Sequence, residues 1–472
     1  MSLLGNRQQV ESYKTEAVPQ SLQGNDSPAS IRGKVRQVSV PSINGDQKSN
    51  GKLRFILPNN NASISRRSMF IRARCSLAYT GALPGLNNIN SCIWFQGPGN
   101  TNQTVLSGSA NNADQTTNVT LALPSLSNAY SLIQRSTIYS GSVVVDMIDY
   151  VCDLMSGLIL PHATNINWIS TDGQALLAIA SPPMKSTTLT TGGFLYWDLA
   201  IPVPHACFNT QHDFPAYLLS ESNPLSLEID LTTFNRAMNY VGGGSLPSDR
   251  DYTLSRVALC YEEVELPREY IEAQRLATKN TPFVIPQLSY MISQMPMGSM
   301  ANYNCVLKMS SLRAAYILPS NSTSYTALYP SNSTAFAYTR RAVDVNVATA
   351  SGVYEGTNAQ LFIDSKCINQ VNLDNPCMTF VALKQALKGS ITDYTSSSIC
   401  NLPIYKASFF AIGIDTTAFS DGSTLMGGTP VNEAQIVLTN FVRSGQDTYL
   451  ANVIFAYDSL IIIKNGKITT KR

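Results

Sequence analysis

Charge is what this chain has least of. Only 14% of its 472 residues are Asp, Glu, Lys or Arg, against roughly 25% in ordinary soluble domains. Asn, Ser and Thr fill the deficit and leave a surface of hydroxyls and amides. Such a surface suits a large β-rich protein whose faces meet neighbours better than it suits a metabolic enzyme. The formal net charge of +2 provides no concentrated field of one sign, so nothing global argues for nucleic acid or acidic lipid as a partner.

Histidine is scarce as well, with only His162, His205 and His212 available as general bases. A catalytic reading narrows to His205 with Cys207 and His212 with Asp213 as nucleophile, base and orienter. A cysteine two residues from a histidine on an extended segment points to the same side, but the loop offers nothing to activate a thiol. Ordinary loop residues are the expectation. No P-loop, G-x-G-x-x-G, H-E-x-x-H or G-x-S-x-G occurs, and Gly242 to Gly244 lack the lysine and the strand-to-helix setting of a phosphate site. Glu262 and Glu263 are strand neighbours that point to opposite faces and cannot converge on one glycosidic bond. Trp94, Trp168 and Trp197 are dispersed and form no stacking platform among basic residues.

Paired cysteines and long apolar runs are missing too. Cys75, Cys92, Cys152, Cys207, Cys260, Cys305, Cys367, Cys377 and Cys400 are odd in number and include no C-x-x-C. They read as reduced, buried residues of a cytosolic or nuclear product. The opening MSLLGNRQQVESYK lacks the apolar core of a signal peptide, so secretion is not expected. Ala175 to Ala180 and Leu460 to Ile463 are far too short to cross a bilayer. Asn-x-Ser/Thr triplets at Asn25, Asn61, Asn102, Asn118, Asn321 and Asn332 reflect the abundance of those residues rather than glycosylation.

What the chain does contain is strands. Residues 1–50 are polar and aperiodic and read as a flexible arm with a modest basic bias from Arg32, Lys34 and Arg36. It is either a solvated leader or an arm that grips a neighbouring subunit, nucleic acid or lipid. KLRFILP from Lys52 and SMFIRARCSLAYTG from Ser68 follow as strands, the second with Ile71, Ala73, Cys75 and Leu77 apolar against Phe70, Arg72, Arg74 and Ser76. CIWF at Cys92 and VTLAL at Val119 are further candidates, separated by a Gly/Asn/Thr-rich loop. The stretch 127–160 reads as a helical insertion: one short helix from a Ser127 or Asn128 cap to Gln134, then a second with Met147, Val151, Leu154, Met155 and Leu158 on one face. Asp146, Asp149 and Asp153 fall toward its other side. Three acids invite a metal reading, but no His or Cys has matching spacing, and a solvated face is expected. No catalytic, cofactor or metal residue is assigned.

FLYWDLAIPVP and NPLSLEIDLTTF return to strands, with Leu225, Leu227, Ile229 and Leu231 alternating cleanly with polar residues. After Pro267, REYIEAQRLATK predicts a connecting helix with Tyr270, Ala273 and Ala277 as its packing stripe. The second half repeats the manner of the first: QLSYMISQM, CVLKMSSLRAAYILP, KASFFAIGID, AQIVLTNFV and NVIFAYDSLIII as strands, 319–334 as an exposed loop, Phe380 to Leu387 as a short helix. RVALCYEEVEL from Arg256 and NVIFAYDSLII from Asn452 also echo each other at an offset of 196 residues. The echo matches Val257 with Val453 and Tyr261 with Tyr457, and pairs Glu262 with Asp458. Each could close one of two similar units.

GKLRFILP opening the first unit, FLYWDLAIPVP and NPLSLEIDL before its last strands, and YEEVELPREYIEAQ closing it into a helix resemble the double jelly-roll major capsid proteins of icosahedral DNA viruses, of the adenovirus, polinton-like virus and virophage type. The resemblance covers nearly everything past Lys52. It implies an all-β fold of two tandem antiparallel jelly-roll β-sandwiches with short helical insertions and a helical linker. The divisions are a flexible polar arm at 1–50, a first jelly roll at 51–267, a linker at 268–282, a second jelly roll at 283–466 and a tail at 467–472. It implies further a homotrimer forming a pseudo-hexameric capsomer, contacts with neighbouring capsomers and with minor capsid or penton proteins, and a weak contact of the arm with genome or internal membrane. The place is the virion, assembled in host cytoplasm or nucleus, with no enzyme activity, cofactor or small-molecule substrate. A β-sandwich binding protein, either a carbohydrate-binding adhesin or a viral fibre or minor structural protein, is the rival reading. Tyr261 and Tyr457 should hold equivalent places on the last strand of each unit.

Overall fold

The computed structural model describes residues 34–79, 120–122, 129–165, 184–185, 193–241, 251–321, 358–417, 427–439 and 449–472, apart from scattered positions within these ranges. The candidate strand at Cys92, the loop 97–117, residues 322–334 of the loop expected at 319–334 and Gly242 to Gly244 lie outside the described residues, while 319–321 end the strand Met300–Asn321.

Alternation of apolar and polar residues builds a first sandwich from two antiparallel sheets. One sheet has the order Lys34–Pro41, Tyr252–Glu265, Phe70–Tyr79, Gly193–Pro202, Met184–Lys185. The other has the order Lys52–Ile56, Leu225–Leu231, Ile133–Ser140, Val143–Asp149. Leu53, Phe55, Leu227 and Ile229 of the second sheet and Ile71, Ala73, Cys75 and Leu259 of the first are buried in the same core. This is the period-two pattern carried through to packing. Arg74, on the outward face, pairs with Asp198 at 2.7 Å and lies over the Tyr196 ring.

The second unit is one eight-stranded antiparallel sheet. Its main path runs Phe283–Met297, Tyr449–Lys464, Met300–Asn321, Thr429–Thr439, Asn358–Ile363, Lys366–Asn372. The leading four positions follow the same general order as the first sheet: the opening strand of the unit, its last long strand, an early strand, then a later one. Tyr261 and Tyr457 therefore sit on strands of the same rank, where Tyr261 pairs with Val38 and Tyr457 with Ser289 of the opening strands. Both tyrosines are buried. The acidic half of the echo is not equivalent. In the first unit the buried acid is Glu263, held by Arg36 and the Tyr261 hydroxyl, while in the second it is Asp458, held by Arg313 and Ser311.

Several local expectations are corrected. Residues Lys34–Pro41, assigned to the polar arm, form a strand along Ala258–Glu265. The reason is that Val38 and Val40 pack against the core while the intervening residues stay polar. Residues 133–149 are a β-hairpin around Gly141, not a helix. Of the first expected helix only a 3-10 turn at Ala129–Leu132 forms, and the second starts only at Val151, running as Val151–Leu154, a π-helical Met155–Ile159 and Leu160–Ala163. The helix expected from Phe380 spans Pro376–Ser390, because Asn375 caps it by accepting from the Cys377 and Met378 backbone N–H groups and Pro376 fits its first turn. The linker helix Arg268–Asn280 buries Ile271 and Thr278, with Tyr270 against Tyr217, and leaves Ala277 exposed.

The expected tail is also a strand. Lys467–Lys471 turns back on Leu460–Lys464 through Asn465 and Gly466, both with positive φ, the two-residue turn that Asn-Gly favours. Gly466 carries φ +72°, its carbonyl accepts from the Ser220 N–H at 3.0 Å, and a Cβ there would lie 3.0 Å from the Ser220 Cβ. Gly466→Ala should lower stability by about 1–2 kcal/mol, seen as a lower urea midpoint with an unchanged slope. An unchanged midpoint would show that this turn does not hold the terminal strand against the first sandwich.

Candidate functional site at the seam between the sandwiches

Where the two sandwiches meet, apolar packing gives way to a chain of hydrogen bonds. His205, at the start of a short 3-10 turn, is fully buried, and Asp146, on the edge strand Val143–Asp149, is 4% exposed. The His205 Nδ1 lies 2.7 Å from Asp146 Oδ2 and its Nε2 lies 2.8 Å from Ser136 Oγ. A carboxylate accepts, so Nδ1 carries a proton toward Asp146, while Nε2 shares the other hydrogen bond with the Ser136 hydroxyl. The other Asp146 oxygen accepts from Ser289 Oγ at 3.1 Å, and Ser289 belongs to the second sandwich. Ser289, Ser459 and Gln287 Nε2 lie within 3.2 Å of one another and extend the network into that sandwich.

A second clasp lies at the far end of the same helical segment. His162 Nε2 contacts the Phe409 carbonyl at 2.9 Å, with Tyr405 and Phe409 edge-on to its ring. The Cys400 N–H donates to the Pro161 carbonyl at 3.0 Å. Lys384 reaches across from the helix Pro376–Ser390 to donate to the His162 carbonyl and Ser398 Oγ, both at 2.8 Å, beside the Phe380 and Tyr394 rings. Burial lowers the pKa of this lysine, and burial also pushes the neighbouring Cys400 thiol up to about 12.

The residues singled out for chemistry are thus redistributed. His205 does join a Ser-His-Asp series, but with Ser136 and Asp146, not with Cys207. The donor order matches that of a serine hydrolase, yet Ser136 and His205 are wholly buried, so no solvent-borne carbonyl can approach. Burial also raises the Cys207 thiol well above its ordinary value, away from the reactive thiolate. Asp213 accepts from the Arg66 backbone N–H, and His212 is exposed. The acidic trio is neither a metal site nor a solvated helix face. Asp146 meets His205, Asp149 pairs with Arg135, and Asp153 is buried against Arg236. Among the described residues, no group of three or more His, Cys, Asp or Glu is placed to hold a metal. No described helix is long and apolar enough to cross a membrane. The seam itself is not visible in the sequence, because its partners lie 59, 69 and 143 positions apart.

No protein-family model and no curated protein matches the sequence. Solved structures do match its fold. A chain of the Sputnik virophage cryo-EM structure aligns with a TM-score of 0.56 at 10% identity, over 96% of this chain and 92% of that one. The Faustovirus major capsid protein gives 0.55 at 10% identity, over 93% and 92%. A chain of the PBCV-1 virus capsid gives 0.53 at 12% identity, over 95% and 99%. The chain has the double jelly-roll fold along nearly its whole length.

If Asp146 couples the sandwiches, its loss should register on Ser289. Asp146→Asn should destabilise by about 2 kcal/mol or more and Ser289→Ala by about 1 kcal/mol. The double variant should fall short of their sum by at least about 0.5 kcal/mol. Strict additivity in urea unfolding would mean that the seam hydrogen bond carries no coupling.

Proposed function

We propose that the chain is a viral major capsid protein that trimerises into pseudo-hexameric capsomers and builds an icosahedral shell around a DNA genome. The observation that carries this reading is the tandem pair of sandwiches with one strand order, joined through a buried polar seam and aligned end to end with capsid chains. A structural role is supported by the burial of the Ser136, His205 and Asp146 series among the described residues. Such a brick works by presenting large, weakly charged faces whose apolar centres give affinity and whose polar rims give register.

In this reading the protein resides in the virion after assembly in host cytoplasm or nucleus. It meets further capsomers and minor capsid or penton proteins, and its polar N-terminal arm makes a weak contact with genome or an internal membrane. The first jelly roll runs from Lys34 to Glu265, the linker helix follows, and the second runs from Phe283 to Lys471.

Negative-stain electron microscopy of the purified full chain tests the proposal. Particles of hexagonal outline, or closed shells, are expected. Discrete monomers at high concentration that bind a glycan array would favour a carbohydrate-binding sandwich instead and sink the capsid reading.

A further inference from the structure

The basic residues of the chain are unevenly placed. Four of its 33 lysines and arginines, Lys464, Lys467, Lys471 and Arg472, fall within residues 464–472, a stretch that holds no acid. Without them acids outnumber bases in the rest of the sequence. Surface cations such as Arg36, Lys52, Arg74 and Arg135 meet carboxylates of their own sheets. Lys464, Lys467 and Lys471 are exposed and enter no ion pair among the described residues.

The fold gathers these lysines beside exposed apolar side chains. Ile461, Ile463 and Ile468 are buried, so strand alternation turns Lys464, Lys467, Thr469 and Lys471 of the terminal hairpin to the opposite face. Val284, opposite Ile462 on the neighbouring strand, shares that face and is 44% exposed. Phe283, opposite Ile463 at the start of the same strand, is 38% exposed. The linker helix packs against the strand Tyr449–Lys464 and ends at Asn280, just before Phe283, with Leu276 63% exposed and Lys279 exposed in its last turn. Lys34, opposite Glu265 just ahead of that helix, brings a further exposed cation to this end of the molecule. The other acids nearby are Glu269 and Glu272 at the start of the helix, the second paired with Arg268, and Glu221 beside Ser220, which bonds the Gly466 carbonyl.

Lysines and large apolar side chains exposed side by side discriminate among anionic partners. A nucleic acid backbone engages the lysines alone and would leave Leu276, Phe283 and Val284 in water. A headgroup layer takes both, the ammonium groups among its phosphates and the apolar side chains at the acyl boundary. We infer that this end of the second sandwich, made of the terminal hairpin, Phe283, Val284 and the last turn of the linker helix, is a docking surface for an anionic lipid bilayer. The surface names the chemistry of an internal contact in the capsid reading, places it on the folded body instead of the N-terminal arm, and rests on that reading.

Flotation of the purified full chain with lipid vesicles tests the surface, with sedimentation velocity run on the same material. Wild type should sediment as a trimer and float with phosphatidylcholine vesicles containing about one-third phosphatidylserine, but not with phosphatidylcholine alone, and about 0.5 M salt should release it. Lys464→Gln/Lys467→Gln/Lys471→Gln alters exposed side chains only, and should keep the trimer and its melting temperature while weakening vesicle binding by at least about 30-fold. Leu276→Gln should weaken it by about 5-fold. A trimer that ignores the anionic vesicles, a triple-lysine variant that floats like wild type, or wild type that binds duplex DNA more tightly than these vesicles would each overturn the surface and leave the capsid reading in place. Monomers at high concentration would overturn the capsid reading, and this surface with it.

Discussion

The buried carboxyl group of Asp146 fixes how the two halves of the molecule sit together. A carboxyl group removed from water must find donors or destabilise the fold by several kcal/mol. Asp146 finds them in different sandwiches, the His205 imidazole in the first and the Ser289 hydroxyl in the second. Apolar packing alone would let two curved surfaces slide. Directional bonds to one buried acid admit a single register, and the clasp at His162, Cys400 and Lys384 fixes the other end.

That rigidity gives meaning to the rest of the architecture. A duplicated sandwich with a flexible joint would present its faces at variable angles and could not set the curvature of an assembly. With the seam closed and the terminal hairpin at Gly466 bonded to Ser220 of the first sandwich, the chain behaves as one brick with six connected tasks for its few charges. Arg74 with Asp198, Lys52 with Glu228 and Asp230, and Arg135 with Asp149 pair within sheets, while Arg36 with Glu263, Arg236 with Asp153 and Arg313 with Asp458 satisfy acids that are buried or nearly so. These pairs cancel charge locally, and the formal net charge of +2 supplies no concentrated field of one sign.

Much of the fold was legible in the order of residues. The alternation at Leu225 to Leu231 and at Ile71 to Cys75 is strict, each run is buried on one face as written, and the echo at Tyr261 and Tyr457 marks strands of the same rank. The hairpin at 133–149 reads as partly helical because apolar residues on its second strand and on the following helix fall at spacings of three and four across the junction. Gly141 is the turn signal there, as Asn465–Gly466 is at the C-terminus. The seam was not legible at all. Ser136, His205, Asp146 and Ser289 come from four separate elements and share no spacing. In the sequence His205 stands beside Cys207, a neighbour that does not serve as its partner.

Calorimetric unfolding tests the central claim, that the buried seam makes two sandwiches into one body. A single transition whose calorimetric and van't Hoff enthalpies agree is the predicted result. Two resolved transitions, each with the enthalpy of one sandwich, would contradict it.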